Sequence, residues 1–256
     1  MDPMERDPIR DKAAPEGNLR SAWEAQSEAW TRWARAPGHD SYWRFARDAF
    51  FELLPPPGRL TIDVGCGEGR VSRDLTSLGY RVISIDASKS MVQEAVRFAP
   101  EIPALIADGA ALPLLNGATD LAVASMSLRD MDDMQQAVIE LARVLAPGGH
   151  LCIGVVHPIN SAGHFDSLEP DSAFVIEGSY LKSHRYVSQI ERDGLPMTFS
   201  SYHHPFEAYF AALEAGGLLV EAIREVPVGV ASSVAERHDR WRRLPLFLNV
   251  RAIKPR

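Results

Sequence analysis

TIDVGCGEGR, residues 61–70, decides the fold, because a short apolar strand runs straight into three alternating glycines and then into a helix. Thr61, Ile62 and Val64 favour a strand, Asp63 interrupts them, and Gly65, Gly67 and Gly69 carry no side chain to keep a ligand off the backbone. The helix expected from about Arg70 to Leu78 turns its unpaired N–H groups and positive dipole end toward anything anionic above the turn. A nucleotide-like cofactor suits such a loop. The spacing is G-x-G-x-G, however, and lacks the G-x-G-x-x-G of pyrophosphate-binding dinucleotide sites.

The flanking sequence supplies the context that a glycine turn alone does not. A second strand, RVISID, ends in Asp86, about 20 residues past the glycines, where a doubly wound sheet places a carboxylate for ribose hydroxyls. A third, IPALIAD, ends in Asp108 and Gly109, and a fourth, TDLAVASMS, spans about 119–127. A helix from Met134 to Leu145 then leads through Pro147, Gly148 and Gly149, read as a tight turn after the helix end, into a fifth strand, HLCIGVV. Each of these strands ends in polar or glycine residues, as expected where ligands sit beyond the carboxyl ends of parallel strands.

These motifs resemble those of class I methyltransferases that use S-adenosylmethionine, in the group that includes the ubiquinone and menaquinone C-methylases and many small-molecule methylases. The likeness is close over residues 58–155. The family's D-x-G-C-G-x-G falls on Asp63, Gly65, Cys66, Gly67 and Gly69, and implies the methionine side of the cofactor site. Its D-x-S-x-x-M-x-x-x-A is present as Asp86, Ser88, Met91 and Ala95, implying a ribose contact from Asp86 and adenine packing from Met91. Ala87, beside Asp86, is counted with the same site. The D-G-x-x-L-P motif appears as Asp108, Gly109, Leu112 and Pro113, implying that Asp108 meets the adenine amino group. R-V-L-x-P-G-G is complete at 143–149, and Ser125 and Met126 are implied to line the transfer site. The implied fold is α/β, a Rossmann-like doubly wound sheet of seven strands with the last antiparallel. One departure stands out: many relatives carry His after the Leu of the fourth-strand motif, whereas SLRD puts Arg129 and Asp130 there.

Outside the core, residues 19–57 form a helical cap of two amphipathic helices rich in aromatic residues, ended by Pro55, Pro56 and Pro57. The resemblance implies that these helices cover the cofactor, with Trp33, Arg35 and Tyr42 closing the methionine end of the site, and Trp33, Tyr42 and Arg129 are candidate substrate contacts. Residues 157–204 are an insertion after the fifth strand. Its first part reads as a loop, and two alternating runs around Asp193 and Gly194 read as a β-hairpin, a candidate lid or homodimer contact. Residues 205–256 supply a further helix and two strands expected to pair antiparallel at the sheet edge, so that 19–256 is one domain with 58–156 as its cofactor-binding core. Residues 1–18 read as a flexible tail.

Methyl transfer from a sulfonium needs alignment above all, with proton removal where the acceptor requires it. His157, His203 and His204 are the candidate bases, being near strand ends or the base of the hairpin and titrating near neutrality. Cys66 and Cys152 form no metal or disulfide pattern, and no metal is expected. With 27 basic against 34 acidic residues and a net charge of −7, the chain is a poor candidate for binding nucleic acid. ERHDRWRR, 236–243, is read as a solvated or salt-bridged connection. The chain shows no signal segment or membrane span, and the cytoplasm is the expected compartment. The leading expectation is methyl transfer to oxygen or nitrogen, less readily carbon, of a small aromatic or secondary-metabolite acceptor. An RNA or protein methylase, a nicotinamide oxidoreductase and a non-catalytic cofactor-binding module are the alternatives.

Overall fold

The computed structural model describes residues 9–11, 17–228 and 239–256. The chain begins with strand β1 (Ile9–Asp11), followed by helix α1 (Leu19–Arg35), a π-helical turn at Tyr42–Ala46 and α2 (Arg47–Phe51). Asn18 caps α1 by accepting from the Ser21 N–H at 2.9 Å, and Arg32 and Arg35 sit at its negative end. The core alternates β2 (Thr61–Val64), α3 (Arg70–Ser77), β3 (Val82–Asp86), α4 (Lys89–Phe98), β4 (Ala104–Ile106) and β5 (Thr119–Ser125). A 3₁₀ turn, Leu128–Asp130, leads to α5 (Met134–Val144) and β6 (Leu145–Val156). Next come α6 (Pro158–Ala162), β7 (Gly163–Phe165), β8 (Phe174–Ile176), β9 (His184–Arg192) and β10 (Leu195–His203). The chain closes with α7 (Phe206–Ala215), β11 (Leu219–Val226) and β12 (Phe247–Ile253).

Seven strands form the main sheet in the order β11-β12-β6-β5-β2-β3-β4, parallel from β6 to β4 and antiparallel where β12 meets β6 and β11. Successive side chains along each strand enter two different cores. Ile62, Val64, Ala122, Ala124, Leu151 and Ile153 pack with Leu141 of α5 and Leu213 of α7. Leu121, Val123 and Cys152 face the other way, toward Phe50 of α2 and Leu75 of α3. With both faces covered, every parallel strand must end in a crossover, and the strand ends collect in one crevice, as a cofactor site requires.

Four expectations change. Thr119 pairs with Leu145 and Leu121 with His150, a two-residue step opposite a five-residue step, so Pro147–Gly149 form a bulge inside β6 and not a turn before it. The stretch read as a loop after residue 157 holds α6 and the β7–β8 pair. Part of the expected tail is a strand, because β1 pairs antiparallel with β9; the rest of 1–16 lies outside the described residues. In the arginine-rich connection, of which 236–238 lie outside the described residues, Arg242 and Arg243 are exposed as expected, but the two residues before them are not. Arg240 and Trp241 are buried, and the Trp241 ring meets Phe165 edge-on at 4.9 Å. A tertiary partner that the charge pattern does not announce has overridden it.

The hairpin forms as expected: Arg192 pairs with Leu195 around Asp193 (φ 50°) and Gly194 (φ 74°). Among the described residues no helix is long and apolar enough to cross a membrane, and no group of three or more His, Cys, Asp or Glu could hold a metal ion. Cys66 and Cys152 are buried free thiols.

Candidate functional site

The glycine turn is held from two sides. The Gly65 and Cys66 N–H groups donate to the Ile85 carbonyl at 2.8 and 3.0 Å, and the Gly67 N–H donates to Asp86 Oδ2 at 2.8 Å. Gly65 and Gly67 both have left-handed backbones, φ 74° and 56°. A β-carbon at Gly65 would overlap Ser127 Cβ, and one at Gly67 would stand 3.0 Å from Trp30 Nε1. The turn is therefore open only because these residues are glycine. Beneath it, Asp63 accepts from Ser72 Oγ at 2.6 Å, and Ser84 Oγ donates to Ser72 Oγ at 2.7 Å. Burial pushes the Asp63 carboxyl up to about 7.

Asp86 closes β3 with both oxygens engaged, Oδ2 by Gly67 and Oδ1 by the Ser88 N–H at 2.8 Å. Burial also raises this carboxyl above its ordinary range. Each oxygen keeps a second lone-pair direction, and Asp86 lines a cavity of about 450 Å³, so hydroxyl donors can reach it there. Gly65, Cys66, Gly67, Ala87, Met91, Asp108, Gly109, Ser125 and Met126 line the same cavity. Asp108 Oδ1 accepts from the Ala110 N–H at 2.9 Å. Met126 has a left-handed backbone, φ 58°, unusual for a long side chain, and marks a constrained point where β5 enters the cavity. Asp63 and Gly69 stand behind the lining.

Helix α1 and the hairpin roof the cavity. Phe199 of β10 meets Trp23, Trp30 and Trp33 edge-on, with ring centroids 6.2, 6.1 and 5.9 Å away, and all four rings line the cavity. Trp23 Nε1 donates to the Ser200 carbonyl at 3.1 Å. Glu24 of α1 accepts from Ser88 Oγ and Ser90 Oγ, each at 2.6 Å, which ties the roof to the start of α4. The hydroxyl bond from Ser88, then that from Ser90, hold its carboxyl below the usual range. Trp33 and Arg129 thus stand where substrate contacts were expected. Tyr42 does not: it is buried outside the lining, with its hydroxyl on Asp74 Oδ2 at 2.7 Å. Arg35 is likewise taken, by Glu68 at 2.8 Å and Glu94 at 3.1 Å.

The three histidines do not come together and none lines the cavity. His157 caps α6, its Nδ1 accepting from the Ile159 N–H at 3.1 Å while Nε2 faces Glu225 at 3.2 Å. His203 is fully buried between Ser161 Oγ at 2.7 Å and the Tyr180 carbonyl at 2.8 Å. His204 pairs through Nδ1 with Ser183 Oγ at 3.0 Å and stacks on Tyr202; burial pushes its imidazole down to about 4. Their rings serve packing and capping, which sequence position near a strand end does not reveal.

Two features of the cavity escaped the sequence. Arg70, at the start of α3, is ion-paired with buried Asp40 and lies between the Trp30 and Tyr42 rings, 4.8 and 4.4 Å from their centres. Burial alone would raise the Asp40 carboxyl, but Arg70 and its hydrogen bonds hold it below the usual range. The second is a triangle on the lid side: Arg129 Nη2 donates to Ser201 Oγ at 2.9 Å, and Ser201 Oγ donates to Asp130 Oδ1 at 2.5 Å. Only the departure from His at SLRD could have signalled it.

Comparison with known proteins places this geometry. Residues 62–153 match a family described as a methyltransferase domain. The demethylmenaquinone methyltransferase of Beutenbergia cavernae is 34% identical over 116 residues, 45% of this chain and 48% of that protein. The malonyl-[acyl-carrier protein] O-methyltransferase of Enterobacter lignolyticus is 35% identical over 114 residues, 44% of this chain and 45% of that protein. The chain thus spans about half the length of the curated relatives it matches. A solved S-adenosylmethionine dependent methyltransferase from Mesorhizobium loti superposes with a TM-score of 0.65 at 25% identity, over 80% of this chain and 95% of that one. Residues 62–153 thus resemble a methyltransferase domain, and the α/β sheet that carries them is that of the superposed enzyme.

Proposed function

We propose that this chain is an S-adenosylmethionine-dependent methyltransferase that acts on an oxygen or nitrogen of a small aromatic acceptor. The observation that carries this reading is a continuous cavity of about 450 Å³ that joins the strand ends of the matched region to a roof of aromatic rings. Its volume is that of a small-molecule site. The residues present fit the cofactor. The side-chain-free turn at Gly65 and Gly67 leaves room for the methionine end, Asp86 has lone pairs free for ribose hydroxyls, and Met91 and Asp108 flank the adenine position.

Bound there, the cofactor supplies a methyl group already activated by positive sulfur. The protein's own work is placement. Trp23, Trp30, Trp33 and Phe199 exclude water and offer faces and edges to a planar acceptor. Met126, Val156 and Phe247 form an apolar floor, and Arg129, Asp130, Asn160 and Tyr186 add polar groups able to orient an acceptor hydroxyl or amine. Fixing that atom in line with the methyl group accounts for most of the acceleration required.

The roof weighs against RNA or protein as the acceptor, as does the net charge of −7, since both would call for an open or basic groove. The family match covers 62–153, which holds the donor half of the cavity together with Met126, Arg129 and Asp130; α1, the hairpin and residues 239–247, which build the rest of the acceptor half, lie outside it. A carbon acceptor, suggested by the quinone in the name of one relative, is therefore the second reading. Incubation with the cofactor and a panel of phenols, arylamines and quinols, read by mass spectrometry, separates the two. A methyl ether or methylamine product is expected; a C-methylated quinol alone would overturn the preference, and methylation of only RNA or protein would overturn the small-molecule reading.

A further inference from the structure

We propose that Asp130 accepts the proton of an acceptor hydroxyl during methyl transfer, and that the hairpin completes this base by placing Ser201 against it. The inference rests on the methyl-transfer reading above and assigns the acceptor to the class of phenols and related hydroxyl compounds whose proton must be removed.

Among the described residues no histidine lines the cavity, which leaves its carboxylates as the candidate bases. Five of the six are occupied. Asp40 is paired with Arg70, and Asp86 holds the Gly67 and Ser88 N–H groups. Asp108 accepts from Ala110, both oxygens of Asp132 lie within reach of the Leu19 N–H at 2.9 and 3.1 Å, and Asp133 caps α5 through the Gln136 N–H. Asp108 and Asp133 are each bound through one oxygen but are exposed to solvent, whereas Asp130, also bound through one oxygen, is half-buried under the hairpin. Oδ1 takes the Ser201 hydroxyl at 2.5 Å and faces Arg129 Nε at 3.5 Å, while Oδ2 takes no hydrogen bond from the described residues. An acceptor hydroxyl in the cavity can donate to Oδ2.

Ser201 and Arg129 are positioning residues. Ser201 lies on β10, fully buried, and reaches across 71 residues of sequence to fix the carboxylate plane. Arg129 in turn fixes Ser201, and its guanidinium lies 5.7 Å from the centre of the Tyr186 ring. The charged or titratable groups around the pair are Arg129 itself, Asp86, Tyr186, Tyr209 and His204. Burial, only partly offset by Arg129 and Ser201, pushes the Asp130 carboxyl up to about 6. It is thus ionised at neutral pH and a stronger base than an ordinary aspartate.

The step balances. The acceptor O–H bond breaks as its oxygen pair forms the O–CH3 bond. The proton passes to Asp130 Oδ2 and then to water as product leaves, and the C–S pair stays on sulfur as a neutral thioether.

The test uses the full chain with S-adenosylhomocysteine and 4-nitrophenol, whose coloured phenolate reports its ionisation. Titration calorimetry first measures S-adenosylhomocysteine binding to wild type, D130N and S201A, expected to agree within about twofold. The absorbance of bound 4-nitrophenol is then followed against pH. A carboxylate beside the hydroxyl favours the neutral phenol, so the midpoint should fall by about one unit, a tenfold change in ionisation, in D130N. It should also move in S201A, which keeps the carboxylate but loses its anchor. Equal midpoints in all three proteins, or no binding of 4-nitrophenol at millimolar concentration, would overturn the proposal. Failure of wild type to bind S-adenosylhomocysteine would instead overturn the methyltransferase reading itself.

Discussion

Asp86→Asn is expected to weaken the binding of S-adenosylhomocysteine by about 10- to 100-fold while leaving the fold in place. The two Asp86 oxygens each accept one backbone N–H, from Gly67 and from Ser88, both at 2.8 Å. An asparagine offers one oxygen and one NH2 group, so in either orientation an amide donor faces a backbone donor and one of the two pins is lost. A hydrogen bond to a charged group is worth about 1.5–3 kcal/mol, and about 1.4 kcal/mol is a factor of ten in affinity. The turn that this bond fixes is the cofactor's own seat, so the loss appears in binding. It should appear much less in stability, because burial already disfavours the Asp86 charge in the folded protein, and removing that charge offsets part of the lost bond. Titration calorimetry with thermal unfolding on the same sample reads both quantities. An affinity within about twofold of wild type in a folded variant would refute the role given to this carboxylate.

Three further outcomes are expected. Gly65→Ala places a side chain at φ 74° and against Ser127, whose Oγ donates to the Val64 carbonyl at 2.7 Å, so it should lower the melting temperature and the cofactor affinity together; wild-type values for both would show that the turn tolerates a side chain. Asp63 is raised to about 7 in the folded protein, so it contributes stability below the unfolded value of 3.8 that is lost as pH rises toward 7, about 4 kcal/mol across that window. Asp63→Asn should flatten the dependence of denaturant stability between pH 4 and pH 7, and an unchanged slope would contradict the assignment. Phe199→Ala removes three edge-on ring contacts of about 0.5–1.5 kcal/mol each and should speed amide exchange over 184–203 but not over 119–125; equal exchange in both segments would show that these rings do not hold the hairpin.

The donor half of the site was legible because its determinants are local. A glycine turn, a carboxylate at the end of β3 and another after β4 each announce themselves within a few residues, and the sheet rule brings them to one crevice. The hairpin was legible for the same reason, since Asp193 and Gly194 dictate the turn. The acceptor half was not, because it depends on where side chains point after long-range packing. Phe199, Ser201 and His203 alternate onto one face of β10, yet Phe199 lines the cavity, Ser201 reaches Asp130 beside it, and His203 is buried against Ser161. Tyr42 had the right composition for a lid residue and is held by Asp74. Arg70 with Asp40, and Asp130 with Ser201, join residues 30 and 71 positions apart, a pairing that no local pattern encodes.

Titration calorimetry of the full chain against S-adenosylhomocysteine, with NAD in parallel, tests the central claim most directly. The cavity and the matched domain lead us to expect one-to-one binding of S-adenosylhomocysteine and no heat from NAD. Silence with S-adenosylhomocysteine and S-adenosylmethionine, or binding of NAD in their place, would contradict the account.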